Sequence, residues 1–183
     1  MTEVTDDQKK AVILDSIRGV PDFPKKGILF WDVTTILLNP TAFQYTVDLF
    51  AKKYRDAKID VVAGFEARGL IFGAPLALAL KCAFVPLRKP GKLPGATVSE
   101  EYATEYSTDK IEMHADHVTS GQRVLLVDDL IATGGTLNAG IKLIEKVGAE
   151  VVEAACVIEL PFLKGRDKIQ GTKLHVLVEK EGL

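Results

Sequence analysis

Five short segments of the chain are continuously apolar and rich in valine, leucine and isoleucine. They are residues 60–64, 83–88, 123–129, 150–160 and 174–179. A strand with one face in water alternates apolar and polar residues, whereas a strand buried on both faces does not, as in parallel sheets covered by helices. The pattern therefore predicts five buried parallel strands.

Between and before these strands, apolar residues recur at helical spacing. An N-terminal helix is predicted to start at Asp6 or Asp7, and a second at Asn39-Pro40, a capping residue followed by proline in the first helical position. The second helix places four apolar side chains on one face: Phe43, Val47, Phe50 and Tyr54. Further helices are predicted over 70–80 and 136–147. Alternation of strand and helix predicts an α/β fold whose ligands bind at the carboxyl ends of the strands.

Two segments lack these periodicities. Residues 19–27 contain two prolines and two glycines, which predicts a connector. Residues 89–109 separate two sheet strands and are dense in charge and tyrosine. A connection of that length is usually functional or disordered, so we expect a flexible loop that closes on a ligand. A solvated β-hairpin is compatible with the same sequence.

Composition narrows the class of protein. A length of 183 residues fits one domain, and 47% hydrophobic with 26% charged residues excludes intrinsic disorder. A net charge of −2 gives no indication of a nucleic-acid or membrane partner. Cys82 and Cys156 lie in apolar stretches without the spacing of a disulfide framework or zinc site. With no secretory signal or spanning segment, a cytoplasmic location is expected.

The segment 124–136, VLLVDDLIATGGT, carries the clearest chemistry. A buried strand ends in Asp128 and Asp129, and the short loop T-G-G-T then opens a helix. Free N–H groups at a helix N-terminus, with glycines beside them, let a phosphate approach the backbone closely. Carboxylates would repel a phosphate but accept hydrogen bonds from a neighbouring sugar diol. No P-loop or dinucleotide-binding glycine pattern is present. The alternative is purely structural: polar residues at a strand end, and a glycine turn.

This segment resembles the signature of the type I phosphoribosyltransferases, which bind 5-phosphoribosyl-1-pyrophosphate (PRPP). The resemblance implies that Asp128 and Asp129 hold the ribose hydroxyls. It assigns the 5′-phosphate to a loop of five residues: Ala132, Thr133, Gly134, Gly135 and Thr136. From about Pro21 to Val178 the chain is similar to the adenine phosphoribosyltransferases. That similarity is carried by PDFPKKGILFWDVT, AGFEARGLIFG, PLRKPGKLPG, EEYATEYSTDKIEMH and ELPFLKGRDKI.

The same resemblance implies a pyrophosphate site and a catalytic group. Residues 66–69 match the family's pyrophosphate loop, with Arg68 as the charged contact and a non-proline cis peptide. Arg88 and Lys92 match further pyrophosphate ligands. Glu105 matches the glutamate proposed as acid/base on the purine, and its neighbour Tyr106 is assigned to substrate binding.

The adenine pocket is assigned in the same way. Leu29 and Leu160 match residues that line it, and main-chain groups around residues 28–30 match those that read the edge of the base. Trp31 departs from the pattern, because many members have arginine there. We expect its ring to pack near the base.

The resemblance implies one domain, 1–183: a five-stranded parallel sheet flanked by helices, a small hood from residues 1–35 and the flexible loop 89–109. It implies a purine salvage enzyme that converts adenine and PRPP to AMP and diphosphate, and a homodimer. Mg²⁺ is expected, held mainly through substrate and water rather than by protein ligands. The alternatives are a phosphoribosyltransferase for another purine base and a PRPP-sensing regulator. Such regulators usually carry an added DNA-binding domain, for which 183 residues leave no room.

Overall fold

The computed structural model describes residues 4–103 and 108–181. Its centre is a parallel sheet of five strands: β3 (Val61–Phe65), β4 (Ala83–Leu87), β7 (Arg123–Ile131), β8 (Glu150–Glu159) and β9 (Leu174–Glu179). They lie in the order β4-β3-β7-β8-β9. The five strands predicted from continuous apolar segments are confirmed.

Four α-helices accompany the sheet: α1 (Asp6–Asp15), α2 (Pro40–Tyr54), α3 (Arg68–Leu80) and α4 (Gly135–Lys146). Helix α2 begins as predicted, because the side chain of Asn39 accepts hydrogen bonds from the first N–H groups and Pro40 occupies the first turn. Helix α1 is capped by Thr5, not by Asp6 or Asp7. Thr5 and Gln8 bond reciprocally in a capping box, a cap that the sequence analysis missed.

Helices cover both faces of the sheet, which explains its continuous apolar strands. On one face, Val62 and Leu125 lie in a core with buried residues of α1, α2 and α3. On the other face, Ala63 and Leu126 lie in a second core with α4. Because successive residues of a strand point to opposite faces, both sets must be apolar.

The N-terminal hairpin corrects one prediction. Part of the segment 19–27 is strand, because β1 (Arg18–Pro21) pairs antiparallel with β2 (Leu29–Asp32). Gly19 lies opposite Trp31, and a β-carbon at Gly19 would come 3.1 Å from the indole ring. The missing side chain lets the ring cross the hairpin. The connector is therefore only the turn between these strands, where Asp22 accepts a hydrogen bond from the N–H of Gly27 at 2.7 Å.

A second hairpin occupies much of the segment expected to be a loop. Strands β5 (Thr97–Ala103) and β6 (Thr108–His114) pair antiparallel. The hairpin alternative describes these residues, but it is not fully solvated, since Ile111 and Met113 lie in the core beneath α4. Lys146, at the end of α4, donates to the carbonyl of Ser99 at 2.9 Å and so ties the helix to β5.

Across the described ranges 4–103 and 108–181, every helix is too short or too polar to pass through a bilayer.

Candidate active site

A cavity of about 520 Å³ opens where strands β3 and β7 end. Carboxyl ends of parallel strands are the edge where open α/β sheets bind ligands. Loops after both strands line the cavity, and the β5–β6 hairpin closes one side. The polar residues that line the cavity are Glu66, Arg68, Lys89, Tyr102, Asp109, Asp128, Asp129, Thr133 and Thr136.

The acidic pair lies near the end of strand β7, which continues for two further residues to Ile131 and so does not stop at Asp128 and Asp129 as predicted. Asp129 is only 4% exposed, and its N–H donates to Oδ1 of Asp128 at 2.8 Å. Burial raises the pKa of both carboxyls, and the neighbouring charge of Asp129 raises that of Asp128 further. The Arg68 guanidinium opposes the rise at Asp129. The pair is thus a set of buried oxygen acceptors at the floor of the cavity.

Arg68 joins the segment 66–69 to this acidic pair. Its Nε lies 2.8 Å from Oδ2 of Asp129, an ion pair that leaves this buried oxygen without a hydrogen bond. Helix α3 starts at Arg68, directly after a cis peptide between Glu66 and Ala67, as the resemblance implied. Gly69 lets the start of α3 lie close to β7, since a β-carbon there would be 2.6 Å from the carbonyl oxygen of Val127.

Residues 132–136, which the sequence analysis assigns to the 5′-phosphate and which we call the phosphate loop, lie along the cavity. Gly134 has a φ of 78°, a conformation that strongly favours glycine, and helix α4 begins after it. No side chain among the described residues caps this helix end. The first N–H groups of α4 can therefore donate hydrogen bonds to a ligand. Together with the positive end of the helix dipole, this arrangement suits a phosphate.

Three cavity residues escaped the sequence analysis. Lys89 lies 3.2 Å from Oδ2 of Asp109, and the hydroxyl of Tyr102 donates to the same oxygen at 3.2 Å. The hydrogen bond with Asp109 raises the pKa of Lys89. Tyr102 and Asp109 are paired in the register of the β5–β6 hairpin, so only its folding brings them together. Strand-like alternation around Ile111 and Met113 was the available signal.

Other predicted residues lie outside the cavity lining. Arg88 reaches it through Glu66, whose Oε2 is 2.7 Å from the Arg88 Nε, and Lys92 is exposed. Leu160 is buried where β8 ends. Glu105 and Tyr106 lie outside the described residues.

Leu29 and Trp31 share the face of β2 that meets Gly19. Trp31 packs against the core that contains Leu160, with the Lys180 ammonium 4.5 Å from its ring centroid. The neighbouring residue, Phe30, instead has its ring 5.7 Å from the guanidinium carbon of Arg68. Of the two aromatic side chains of β2, Phe30 is therefore the one that meets a cavity residue.

Comparison with known proteins agrees with this geometry. A family model described as the phosphoribosyl transferase domain matches residues 32–182. Adenine phosphoribosyltransferase 4 of Arabidopsis thaliana is 63% identical over 167 residues, covering 91% of this chain and 92% of that protein. The crystal structure of adenine phosphoribosyltransferase from Thermoanaerobacter pseudethanolicus has a TM-score of 0.90 at 49% identity, covering 93% of this chain and 99% of the other.

A further structure is the adenine phosphoribosyltransferase of Saccharomyces cerevisiae, solved in complex with an imino-altritol bisphosphate and adenine. It has a TM-score of 0.88 at 39% identity, covering 93% of this chain and 99% of that one. The predicted fold and enzyme class are thereby confirmed. The chain belongs to the phosphoribosyltransferase family and, within it, to the adenine phosphoribosyltransferases.

Proposed function

We propose that this chain transfers the 5-phosphoribosyl group of PRPP to adenine, giving AMP and diphosphate, and that the cavity at the ends of β3 and β7 is where it does so. The observation that carries the proposal is the meeting of three unlike groups in one cavity. An acidic pair, an uncapped helix N-terminus and an arginine match a sugar diol, a monophosphate and a pyrophosphate respectively.

In this assignment the phosphate loop binds the 5′-phosphate, and Asp128 and Asp129 accept hydrogen bonds from the ribose hydroxyls. The buried Oδ2 of Asp129, which has no hydrogen bond, would receive one of them. The Arg68 guanidinium already faces this oxygen at 2.8 Å, so a ribose hydroxyl would add a hydrogen bond to an existing charge interaction. The two sites are neighbours on one strand and loop, as the sugar and its phosphate require.

Arg68 would act on the leaving group. The bond from the anomeric carbon to the pyrophosphate oxygen breaks, its electron pair leaves with pyrophosphate, and a ring nitrogen of adenine bonds to that carbon. A guanidinium fixed by Asp129 can stabilise the charge that develops on pyrophosphate without reorganising. Lys89, on the cavity wall, supplies a second positive charge. Glu105 stays our prediction for the acid/base that handles the adenine proton.

The donor set also fits Mg²⁺. Carboxylate oxygens are hard ligands, and Asp128 and Asp129 offer two carboxylates beside the place assigned to the ribose. Mg²⁺ takes six oxygens in an octahedron, so most would come from pyrophosphate, ribose and water, as the sequence analysis predicts. When bound, the ion would neutralise charge on the departing pyrophosphate. The sequence analysis also predicts a homodimer in the cytoplasm.

Phe30 is the residue that we propose as the platform for adenine. Its half-buried ring contacts Arg68 at the cavity, and the edge of Phe23 packs against it with ring centroids 5.1 Å apart. Base–aromatic stacking is worth about 1–3 kcal/mol. Leu29 and Trp31, on the opposite face of β2, would then hold the hairpin in place rather than touch the base.

The decisive test is base competition. The purified protein is incubated with PRPP, Mg²⁺ and adenine, hypoxanthine, guanine or xanthine in turn, and nucleotide formation is followed by chromatography. Adenine should give the highest kcat/KM by a wide margin. The double variant Asp128→Asn, Asp129→Asn is the matched control and should lose turnover. Faster nucleotide formation with hypoxanthine or xanthine would favour the alternative substrate, and PRPP binding without turnover of any base would favour the sensor.

A further inference from the structure

An ion pair between a buried glutamate and an exposed arginine, Glu159 and Arg166, lies just outside the cavity, where β8 ends. Glu159 is 4% exposed, and Arg166 grips its carboxylate with two nitrogens, Nε at 2.8 Å from Oε1 and an Nη at 2.6 Å from Oε2. Arg166 also donates to the carbonyl of Leu174 at 3.3 Å. Paired bonds of this kind fix the relative orientation of their partners. No step of the proposed reaction uses this pair.

The segment between the two partners, the 160–165 turn, has a fixed path. The N–H of Leu160 donates to the carbonyl of Ile131 at 3.1 Å, which ties the start of the turn to the end of β7. Lys164 adopts a left-handed conformation with a φ of 53°, and its N–H donates to the carbonyl of Pro161. The turn therefore delivers Gly165 to a defined place.

That place is the back of the phosphate loop. A β-carbon on Gly134 would overlap the carbonyl oxygen of Gly165, and a β-carbon on Gly165 would overlap that of Ala132. Two backbones thus pack together with no room for a methyl group between them. Such packing leaves the phosphate loop unable to move toward the turn.

We propose that Glu159 and Arg166 are positioning residues for the phosphate loop. By fixing both ends of the 160–165 turn they hold Gly165 against Gly134, and the loop keeps the conformation that receives a phosphate. The inference rests on the proposed function, because it takes residues 132–136 as the phosphate site. Preorganised binding groups lose less entropy when the ligand arrives, so support from behind strengthens binding.

Strand β8 provides a matched control at its other end. Arg123 begins β7, Glu150 begins β8, and an Nη of Arg123 lies 2.8 Å from Oε2 of Glu150. This pair has the same chemistry but is distant from the loops at the carboxyl ends. It is also more open to solvent, with the Glu150 side chain 57% exposed. Glu150→Gln should therefore leave ligand binding unchanged.

The experiment compares Glu159→Gln, Arg166→Lys and Glu150→Gln at a temperature where all three are folded by circular dichroism. Calorimetry gives the AMP Kd, and steady-state kinetics give kcat and the KM for PRPP. We expect Glu159→Gln to raise the AMP Kd and the PRPP KM about tenfold, the size of one impaired hydrogen bond to a charged group. Its kcat at saturation should stay within about threefold of wild type, since the groups at the anomeric carbon remain in place. Arg166→Lys, which keeps the charge without the paired geometry, should show a smaller rise in the same two constants.

Gly165→Ala perturbs the contact directly and should give the same split between binding and kcat. Should Glu159→Gln not fold, Arg166→Lys and Gly165→Ala carry the test. The inference is overturned if the AMP Kd of these variants is no higher than that of Glu150→Gln. It is also overturned by a loss of kcat as large as the loss of binding, which would mark a merely structural pair. A separate variant, Gly135→Pro, tests the premise, because it removes one backbone N–H at the first helical position, where proline is tolerated. An unchanged AMP Kd there would remove the phosphate assignment itself, and with it the inference.

Discussion

Gly69 lets helix α3 pack tightly against strand β7, and replacing it by alanine should damage catalysis more than folding. The new β-carbon would lie 2.6 Å from the carbonyl oxygen of Val127 and 3.1 Å from Cα and Oδ1 of Asp128. An ordinary contact needs about 3.5 Å. Two of these neighbours are backbone atoms of a central strand, so the start of α3 must move instead, and Arg68 moves with it.

The size of the effect follows from that distance. The helix start must shift by about 0.9 Å, the difference between the actual separation and an ordinary contact. A misplacement of about 1 Å at a reacting group costs about 100-fold in rate, equivalent to about 2.7 kcal/mol. Folding suffers less: overpacking costs about 1–3 kcal/mol, and the helix preference of alanine over glycine returns about 1 kcal/mol. At about 2–4 °C per kcal/mol, the unfolding temperature should fall by less than about 8 °C.

Gly73→Ala on the same helix separates the two effects. Gly73 is also buried, but its β-carbon would meet Cε2 of the half-buried Phe84 ring at 2.9 Å, and that ring can rotate away. Both variants should be less stable, while only Gly69→Ala loses kcat/KM for AMP formation. The reasoning fails if Gly69→Ala keeps kcat/KM within threefold of wild type. It fails equally if Gly73→Ala loses as much activity, since the loss would then be global.

Four further substitutions test the assigned roles. Arg68→Lys keeps the charge beside Asp129 but loses the guanidinium fork, so kcat should fall more than the PRPP KM rises, and the AMP Kd should hold; an equal loss of AMP affinity would contradict this. Asp128→Asn should raise the unfolding temperature at neutral pH while weakening PRPP binding. Burial raises the pKa of that carboxyl, so stability is lost as pH rises through the raised pKa, and the gain should vanish below about pH 4, where the carboxyl is uncharged in both states. Phe30→Ala should raise the adenine KM about tenfold or more, whereas Trp31→Ala should mainly lower the unfolding temperature; the reverse pattern would place Trp31 at the base.

The sheet could be predicted from the sequence because burial on both faces leaves a direct trace in it. Strand β3, Val61–Phe65, is buried at every position and reads as an unbroken apolar segment. Strand β1, with the sequence RGVP, leaves no such trace, because pairing with β2 rather than burial defines it. Strands β5 and β6 were obscured by the charged residues on their exposed side, although Ile111 and Met113 alternate as a half-buried strand should.

Part of the site could be predicted from the sequence and part could not. Asp128 and the phosphate loop are close together in sequence, so the local pattern was enough to indicate that they are neighbours. Tyr102 and Asp109 meet only through hairpin register, which no local pattern reports. For β2 the sequence analysis placed the Trp31 ring near the base, but the sequence does not show which face of the strand each side chain takes. Adjacent strand residues point in opposite directions, and how the hairpin sits on the sheet decides that Phe30 meets Arg68 while Trp31 does not.

The N-terminal hairpin has a consequence for how the base specificity of such an enzyme can evolve. Its strands pair residues 18–21 with residues 29–32, so its structure is local and comes from the first sixth of the chain. The groups assigned to sugar, phosphate and pyrophosphate lie in or directly after β3 and β7, later in sequence and at the middle of the sheet. With Phe30 as the proposed platform for adenine, the contact to the base and the groups that transfer the sugar lie on separate segments of the chain. On that assignment, mutations in β2 would alter which base is accepted and leave the residues for group transfer unchanged.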